Sequence, residues 1–267
     1  MGLMDGKVAL IFGIANKNSI AWGIAQRFHE EGATVLISYA GEILEKRVVP
    51  LAAEIGSDFV MQADVTKDED LDAVFDAVKE KYGHLDVLVH CVAFAKREDL
   101  GGRFIDISRD GLAMAVDISA YSLIAMAKRA EPLMGDGGSI MSLTYYAAEK
   151  VMPKYHAMAV AKAALETISR YLAADLGPKG IRVNAISAGP IKTLAAAGVP
   201  GFRLMLKFSE KTSPLRALVS QEEVGDTAVF LASDLSRKVT GETIHIDAGY
   251  HILGMTVTDE EIGLAND

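Results

Sequence analysis

Short apolar runs recur along the chain, each followed by a stretch with helical spacing. Val8–Phe12 (VALIF) closes on Gly13, and Thr34–Tyr39, Asp58–Gln62 and Asp86–His90 follow. A run opens at Ser139, and two more lie at Ile181–Ile186 and Glu242–Asp247. Apolar runs without strict alternation suit strands buried on both faces. Between them the pattern predicts helices over Ile24–Glu31, Ile43–Ile55, Arg109–Met134 and Gln221–Ala232. Leu71, Val74, Phe75 and Val78 form the stripe of another helix that starts near Lys67. One more runs to Leu176, where Gly177-Pro178-Lys179-Gly180 stops it. No linker, repeat or low-complexity tract interrupts the alternation. It predicts one α/β domain over residues 1–267, a doubly wound parallel sheet of about seven strands with helices on both faces.

In such sheets ligands sit outside the carboxyl ends of the strands. The loop after the first strand carries Gly13, Ser19 and Gly23 but lacks the G-x-G-x-x-G spacing. A glycine-bearing loop before a helix still suits a dinucleotide pyrophosphate, as in Rossmann-type domains. Ser19 is a candidate helix cap, or a hydroxyl within reach of a phosphate. Tyr39-Ala40-Gly41-Glu42 ends the second strand without a ribose-binding acid at the usual place, and Glu42 would repel a 2′-phosphate. NADH is therefore favoured over NADPH. Asp64 accepts from an adenine amino group or caps the next helix, or does both. His90 at a strand end reads as structural.

The stretch Ser139–Lys162 carries the candidate chemistry. It reads as a strand, a loop with Tyr145 and Tyr146, and a helix bearing Tyr155 and Lys162. The last two are seven apart, close to two helical turns, which places them on one face. A phenol has a pKa of roughly 10, and a nearby ammonium makes it a better proton donor to a developing oxyanion. The spacing alone fits equally an incidental Tyr and Lys on a surface helix. Beyond the sixth strand, the apolar segment 194–213 reads as a lid over an apolar substrate or as an amphipathic helix docked on the core.

Composition narrows the classes. Lys+Arg 27 against Asp+Glu 36 gives a net charge of −9, which disfavours nucleic-acid binding. No apolar run in the bare pattern approaches the roughly 20 residues of a membrane span, and the N-terminus shows no signal peptide. Cys91 is the only cysteine, so an internal disulfide is excluded. A cytoplasmic enzyme fits these features, and no metal site is expected.

With these motifs in place, the chain resembles the short-chain dehydrogenases/reductases, and within them the bacterial NADH-dependent enoyl-acyl-carrier-protein reductases. The marks are Gly13-x5-Ser19-Ile20-Ala21, Tyr145 ten residues before Tyr155, Tyr155-x6-Lys162 and RVNAISAGPIKTLAA from Arg182 to Ala196. The resemblance implies that Tyr155 donates to the thioester carbonyl oxygen, that Lys162 binds the nicotinamide ribose and that Tyr145 lines the pocket. It implies dinucleotide contacts from Gly13, Ser19, Ile20, Asp64, Val65, Val92, Ile191, Lys192, Thr193, Leu194 and Ala195. Substrate contacts would come from Ala95, Tyr145, Tyr155, Met158, Phe202 and Met205. It further implies a homotetramer that acts on enoyl groups bound to acyl carrier protein in fatty-acid elongation. Ala93 stands where that pattern has glycine, and Ala40 where many relatives have a polar residue. Two other readings compete: carbonyl or alcohol chemistry assisted by Ser142, and a non-catalytic dinucleotide-binding scaffold.

Overall fold

The computed structural model describes residues 2–194, 196–199 and 201–255. Its strands are β1 (Val8–Phe12), β2 (Thr34–Tyr39), β3 (Val60–Gln62), β4 (Val87–His90), β5 (Gly138–Thr144), β6 (Ile181–Ala188) and β7 (Thr243–Ile246). They form a seven-stranded sheet in the order β3-β2-β1-β4-β5-β6-β7, parallel throughout. The helices are α1 (Ile20–Glu30), α2 (Glu45–Glu54), α3 (Asp68–Tyr82), α4 (Arg109–Val116), α5 (Ser122–Ala130), α6 (His156–Leu176), α7 (Phe202–Thr212) and α8 (Gln221–Ala232).

The sheet is covered on both faces because its strands are apolar on both. In β1, Ala9 and Ile11 belong to one core layer, with Ala21, Trp22 and Phe28 of α1 and Val224 and Ala228 of α8. Leu10 and Phe12 belong to the other, with Leu71, Val74 and Phe75 of α3 and Leu123 and Met126 of α5. Fully burying one such aliphatic or aromatic side chain stabilises the fold by about 1.5–3 kcal/mol. The chain reverses its direction of winding between β1 and β4, which are hydrogen-bonded neighbours. That seam brings Gly13 and Cys91 together at the carboxyl edge, through a bond from the Cys91 amide to Phe12 O.

Several boundaries differ from the sequence pattern. Helix α1 begins at Ile20 rather than Ile24, because Gly23 is a helical residue and not part of the loop. Strand β3 covers only Val60–Gln62; Asp58 lies outside it and pairs with Lys81 and Tyr82. The predicted helix from Arg109 is interrupted by a wider π-type turn at Asp117–Tyr121. An 18-residue window within Arg109–Leu133 has a mean hydropathy of 1.3, so by length and composition alone this segment is apolar enough to cross a membrane, although charged residues interrupt its apolar run. Half of that window is buried inside the protein, as in a core helix.

Gly23 explains how α1 meets α8. A Cβ there would lie 2.7 Å from both the Cβ and the carbonyl oxygen of Gln221. On the facing helix, a Cβ at Gly225 would lie 2.9 Å from Gly23 O. Both glycines are therefore spacers that let the two backbones approach. In an open helix Gly→Ala stabilises by about 1 kcal/mol. Here the sign reverses: Gly23→Ala is expected to lower the unfolding free energy by about 1–3 kcal/mol, measured by urea denaturation.

Candidate active site

At the carboxyl edge, β5 ends at Thr144 and the chain turns through a short 3₁₀ segment, Tyr146–Ala148, before α6. Tyr155 is not on the helix, as the spacing suggested. It occupies the residue before it, with φ −128° and ψ 24°. Lys154 precedes it in the left-handed region at φ 61°, uncommon for a residue other than glycine. The rings of Tyr145 and Tyr155 meet edge to face, with centroids 5.0 Å apart and an interplanar angle of 65°. Tyr155 and Ala95 both pack against a small apolar cluster that contains Met158, Ala157 and Ala161. Two candidate substrate residues, Met158 and Ala95, thus lie with the tyrosine.

Lys162 is 5 % exposed and donates from Nζ to the Leu143 carbonyl oxygen at 2.6 Å. Burial lowers its pKa to about 8, with Cys91 and Glu166 opposing the shift. The electrostatics of the phenols run opposite to the sequence expectation. Burial raises Tyr155 above the ordinary phenol value, and Lys162 is not among the causes of the shift. Tyr145 is raised as well, by burial and then by Tyr155, Tyr250 and Asp247. Both hydroxyls are therefore held in the protonated form. The pair is suited to giving a hydrogen bond or a proton to an oxyanion, and not to acting as a base.

Neighbouring polar groups are structural. His90 is fully buried and its Nε2 lies 2.7 Å from Ser122 Oγ. Burial, and then Lys162, lowers its pKa to about 3, so it stays neutral. Ser142, the candidate helper for carbonyl chemistry, is buried with its hydroxyl 3.1 Å from Ser169 Oγ. Burial raises the Cys91 thiol to about 11. Among the described residues, no group of three or more His, Cys, Asp or Glu could hold a metal.

The candidate dinucleotide side is built on Gly13. At φ 102° and with a Cβ that would lie 2.0 Å from Cys91 O, no other residue fits this turn. The cradle it leaves above the seam fits a pyrophosphate approaching the backbone at the start of α1. Ser19 sits at the N-cap position, but its hydroxyl accepts from the amides of Ala15 and Asn16 at 3.0 and 3.1 Å. It braces the loop rather than capping the helix, and only its proton remains to offer a phosphate. Asp64 Oδ1 accepts from the amide and hydroxyl of Thr66, at 3.0 and 2.7 Å, which lowers its pKa. These bonds brace the turn ahead of α3 and do not cap the helix, whose N-cap position is Lys67 with no side-chain cap bond, contrary to the expected cap role.

Val65 and Val92 are half-buried, Ile191 is buried, and Lys192 and Leu194 are exposed. Thr193 Oγ1 accepts from the Ala196 amide at 3.0 Å. Ala195 lies outside the described residues, as does the acidic stretch after Met255. Phe202 and Met205 stand half-buried on α7, while Leu204 is 72 % exposed.

A family model described as enoyl-(acyl carrier protein) reductase matches residues 13–251. The chain belongs to that family. An enoyl-[acyl-carrier-protein] reductase [NADH] of Rhizobium meliloti is 55 % identical over 97 % of this chain and 95 % of its own length. One from Aquifex aeolicus is 51 % identical over 98 % of this chain and 97 % of its own. Among solved structures, the Bacillus cereus enoyl-acyl carrier protein reductase with NADP+ and an indole naphthyridinone is 52 % identical, with a TM-score of 0.94. It covers 96 % of this chain and 100 % of that one.

Within this enoyl reductase chain, some site features had no sequence signal. The Leu143 carbonyl that receives Lys162 is a backbone group, invisible to a motif. Glu166, one turn beyond Lys162, is buried and accepts from Thr144 Oγ1 at 2.7 Å, with its pKa raised by burial. Only its four-residue spacing from Lys162 could have drawn attention to it.

The depressed Lys162 has a consequence for stability. An unfolded lysine holds its proton up to about pH 10.4. Between pH about 8 and 10 the folded chain has released a proton that the unfolded chain keeps, so stability rises with pH. The expected rise from this group is about 2–3 kcal/mol across that window. Urea denaturation at several pH values should show it in the wild type, and Lys162→Met should remove it.

Proposed function

We propose that the chain reduces the carbon–carbon double bond of enoyl thioesters carried on acyl carrier protein, with NADH as the hydride donor. The observation that carries this reading is the Tyr145–Tyr155 ring pair, both hydroxyls held protonated, at the same sheet edge as buried Lys162. When bound, NADH supplies a hydride for the β-carbon, and negative charge then develops on the thioester oxygen. Tyr155 donates to that oxygen, which needs a proton-bearing hydroxyl in a water-poor place. Tyr145 holds the Tyr155 ring from its edge and lines the pocket. Lys162, anchored on Leu143, presents its remaining N–H groups to the ribose hydroxyls and orients the cofactor. Carbonyl reduction assisted by Ser142 is disfavoured, because that hydroxyl is fully buried beside Ser169.

NADH is preferred over NADPH on charge. Glu42 is exposed beyond β2, and the pKa of Tyr39 at the strand end is raised by burial first and then by Glu45 and Glu42. Carboxylates there repel a 2′-phosphate. The relatives' names support NADH, while NADP+ in the Bacillus cereus structure makes the comparison worth measuring. Met158, Ala95, Phe202 and Met205 are assigned to the acyl chain, with 194–213 as its lid. The exposed apolar residues of α7, Leu204 and Phe208, support that role. A cytoplasmic enzyme without nucleic-acid or membrane partners accords with the acidic charge. Ile124, Val160 and Tyr171 leave an apolar face exposed on α5 and α6. A groove of about 640 Å³ there is lined by Ile124, Ile168, Tyr171 and Leu172, which supports a homotetramer with this face in an interface.

Four measurements test the reading. NADH consumption with crotonyl-coenzyme A should be robust in wild type, and Tyr155→Phe should lower kcat about ten- to a hundredfold. Lys162→Ala should lose most turnover and weaken NADH binding at least about tenfold. Activity on a β-ketoacyl thioester without activity on an enoyl thioester would sink the assignment. Light scattering should give a mass four times that of one chain, and Tyr171→Glu should reduce it.

A further inference from the structure

The turn after β7 carries a cluster that the reaction described above does not use. Tyr146 directly follows Tyr145, and its buried side chain donates to the His251 carbonyl oxygen at 3.0 Å. Three rings meet it edge-on: His245, Tyr250 and His251, with centroids at 6.2, 6.0 and 6.5 Å. His245 and His251 stack on each other at 4.0 Å, only 16° from parallel.

Each histidine also faces a carboxylate. His245 Nε2 lies 2.8 Å from Glu149 Oε1, and His251 Nδ1 lies 3.0 Å from Asp247 Oδ1. Glu149 belongs to the same turn as Tyr146, whose carbonyl accepts from the Glu149 and Lys150 amides. Asp247 is buried and holds its own turn by accepting from the amides of Gly249 and His251. From α6, Glu166 acts on His245, with Arg170 near that carboxylate. The turn that presents Tyr145 is thus gripped at two points, by the Tyr146 hydroxyl and by Glu149.

We propose that Tyr146 and the His245–His251 stack form a pH-sensitive positioning clamp for Tyr145. This rests on the reading of Tyr145 and Tyr155 as the reacting face. Tyr146 is a positioning residue, since it acts through its neighbour. Imidazoles gain protons as pH falls, and each ring here faces a carboxylate, His245 facing Glu149 with Glu166 on α6, and His251 facing Asp247. One charge is accommodated. A second places like charges face to face at 4.0 Å and drives the rings apart. The His251 carbonyl is the acceptor for Tyr146, and Glu149 is the partner of His245. Separation of the rings therefore reaches the 145–150 turn from both grips, and Tyr145 loses its setting against Tyr155.

The test is kcat for NADH oxidation with crotonyl-coenzyme A from about pH 5.5 to 8.5, in wild type, Tyr146→Phe and His245→Gln. Tyr146→Phe keeps the ring and loses the hydrogen bond. It should lower kcat about three- to tenfold at neutral pH, the factor one such bond is worth, and leave KM for NADH unchanged. Wild-type kcat should fall on the acid side. In His245→Gln, which cannot carry the second charge, that limb should move down by at least about one pH unit.

Wild-type kcat and a superimposable pH profile in both variants would overturn the clamp. A wild type inert at every pH would overturn the site reading instead. Hydrogen exchange needs neither variant nor substrate. Amides 146–150 of wild type should lose protection at low pH relative to neutral pH, after correction for intrinsic rates. Equal protection at both would likewise overturn the proposal.

Discussion

The buried bond from Lys162 to the Leu143 carbonyl is the constraint on which the site depends. An ammonium removed from water costs several kcal/mol unless it is hydrogen-bonded and paired. Here it lies where α6 crosses the end of β5, and its partner is a carbonyl of that strand. The bond fixes the axial position of α6 against the sheet, and with it the residue before the helix, Tyr155. One costly interaction therefore sets both the cation and the tyrosine proposed as proton donor. Its depressed pKa records that cost.

Around this point the chain uses close backbone approach rather than added polar groups. Gly13 allows the first loop to lie against Cys91, and Gly23 and Gly225 allow α1 to lie against α8. The loop proposed to hold the cofactor is thereby braced from below by the sheet and from behind by a helix pair. Ser19 completes the bracing by receiving the Ala15 and Asn16 amides. Rigid elements of this kind hold a ligand with little ordering cost at binding.

Much of this was legible before any coordinates. Apolar runs of strand length and a 3.6-period stripe at Leu71, Val74, Phe75 and Val78 report burial, which dominates the fold, so the sheet and α3 were readable. Tyr145, Tyr155 and Lys162 stand out as candidates through their spacing, since local motifs survive in one dimension. What was not readable is decided between distant segments. Gly23 looked like a loop glycine because the partner that demands it, Gln221, is far along the chain. Tyr155 looked helical because nothing in its spacing announces the left-handed Lys154 before it. The direction of the Tyr155 shift was misjudged for a related reason: proximity to a lysine was inferred from spacing, while burial prevailed.

The position of β4 beside β1 has a consequence for how the chain is made. The two strands that form the floor of the site are neighbours in the sheet, yet residues 13–86 lie between them. A chain leaving the ribosome offers β1 and β2 first, with the free edge of β1 still unpaired and apolar. That edge stays open until β4 has been synthesised, and β5 must then join before Lys162 finds its acceptor. Half-made chains thus carry a sticky edge and no site, and the long-range pairing makes this a slow-folding topology. The interval of greatest risk of aggregation is written into the strand order itself.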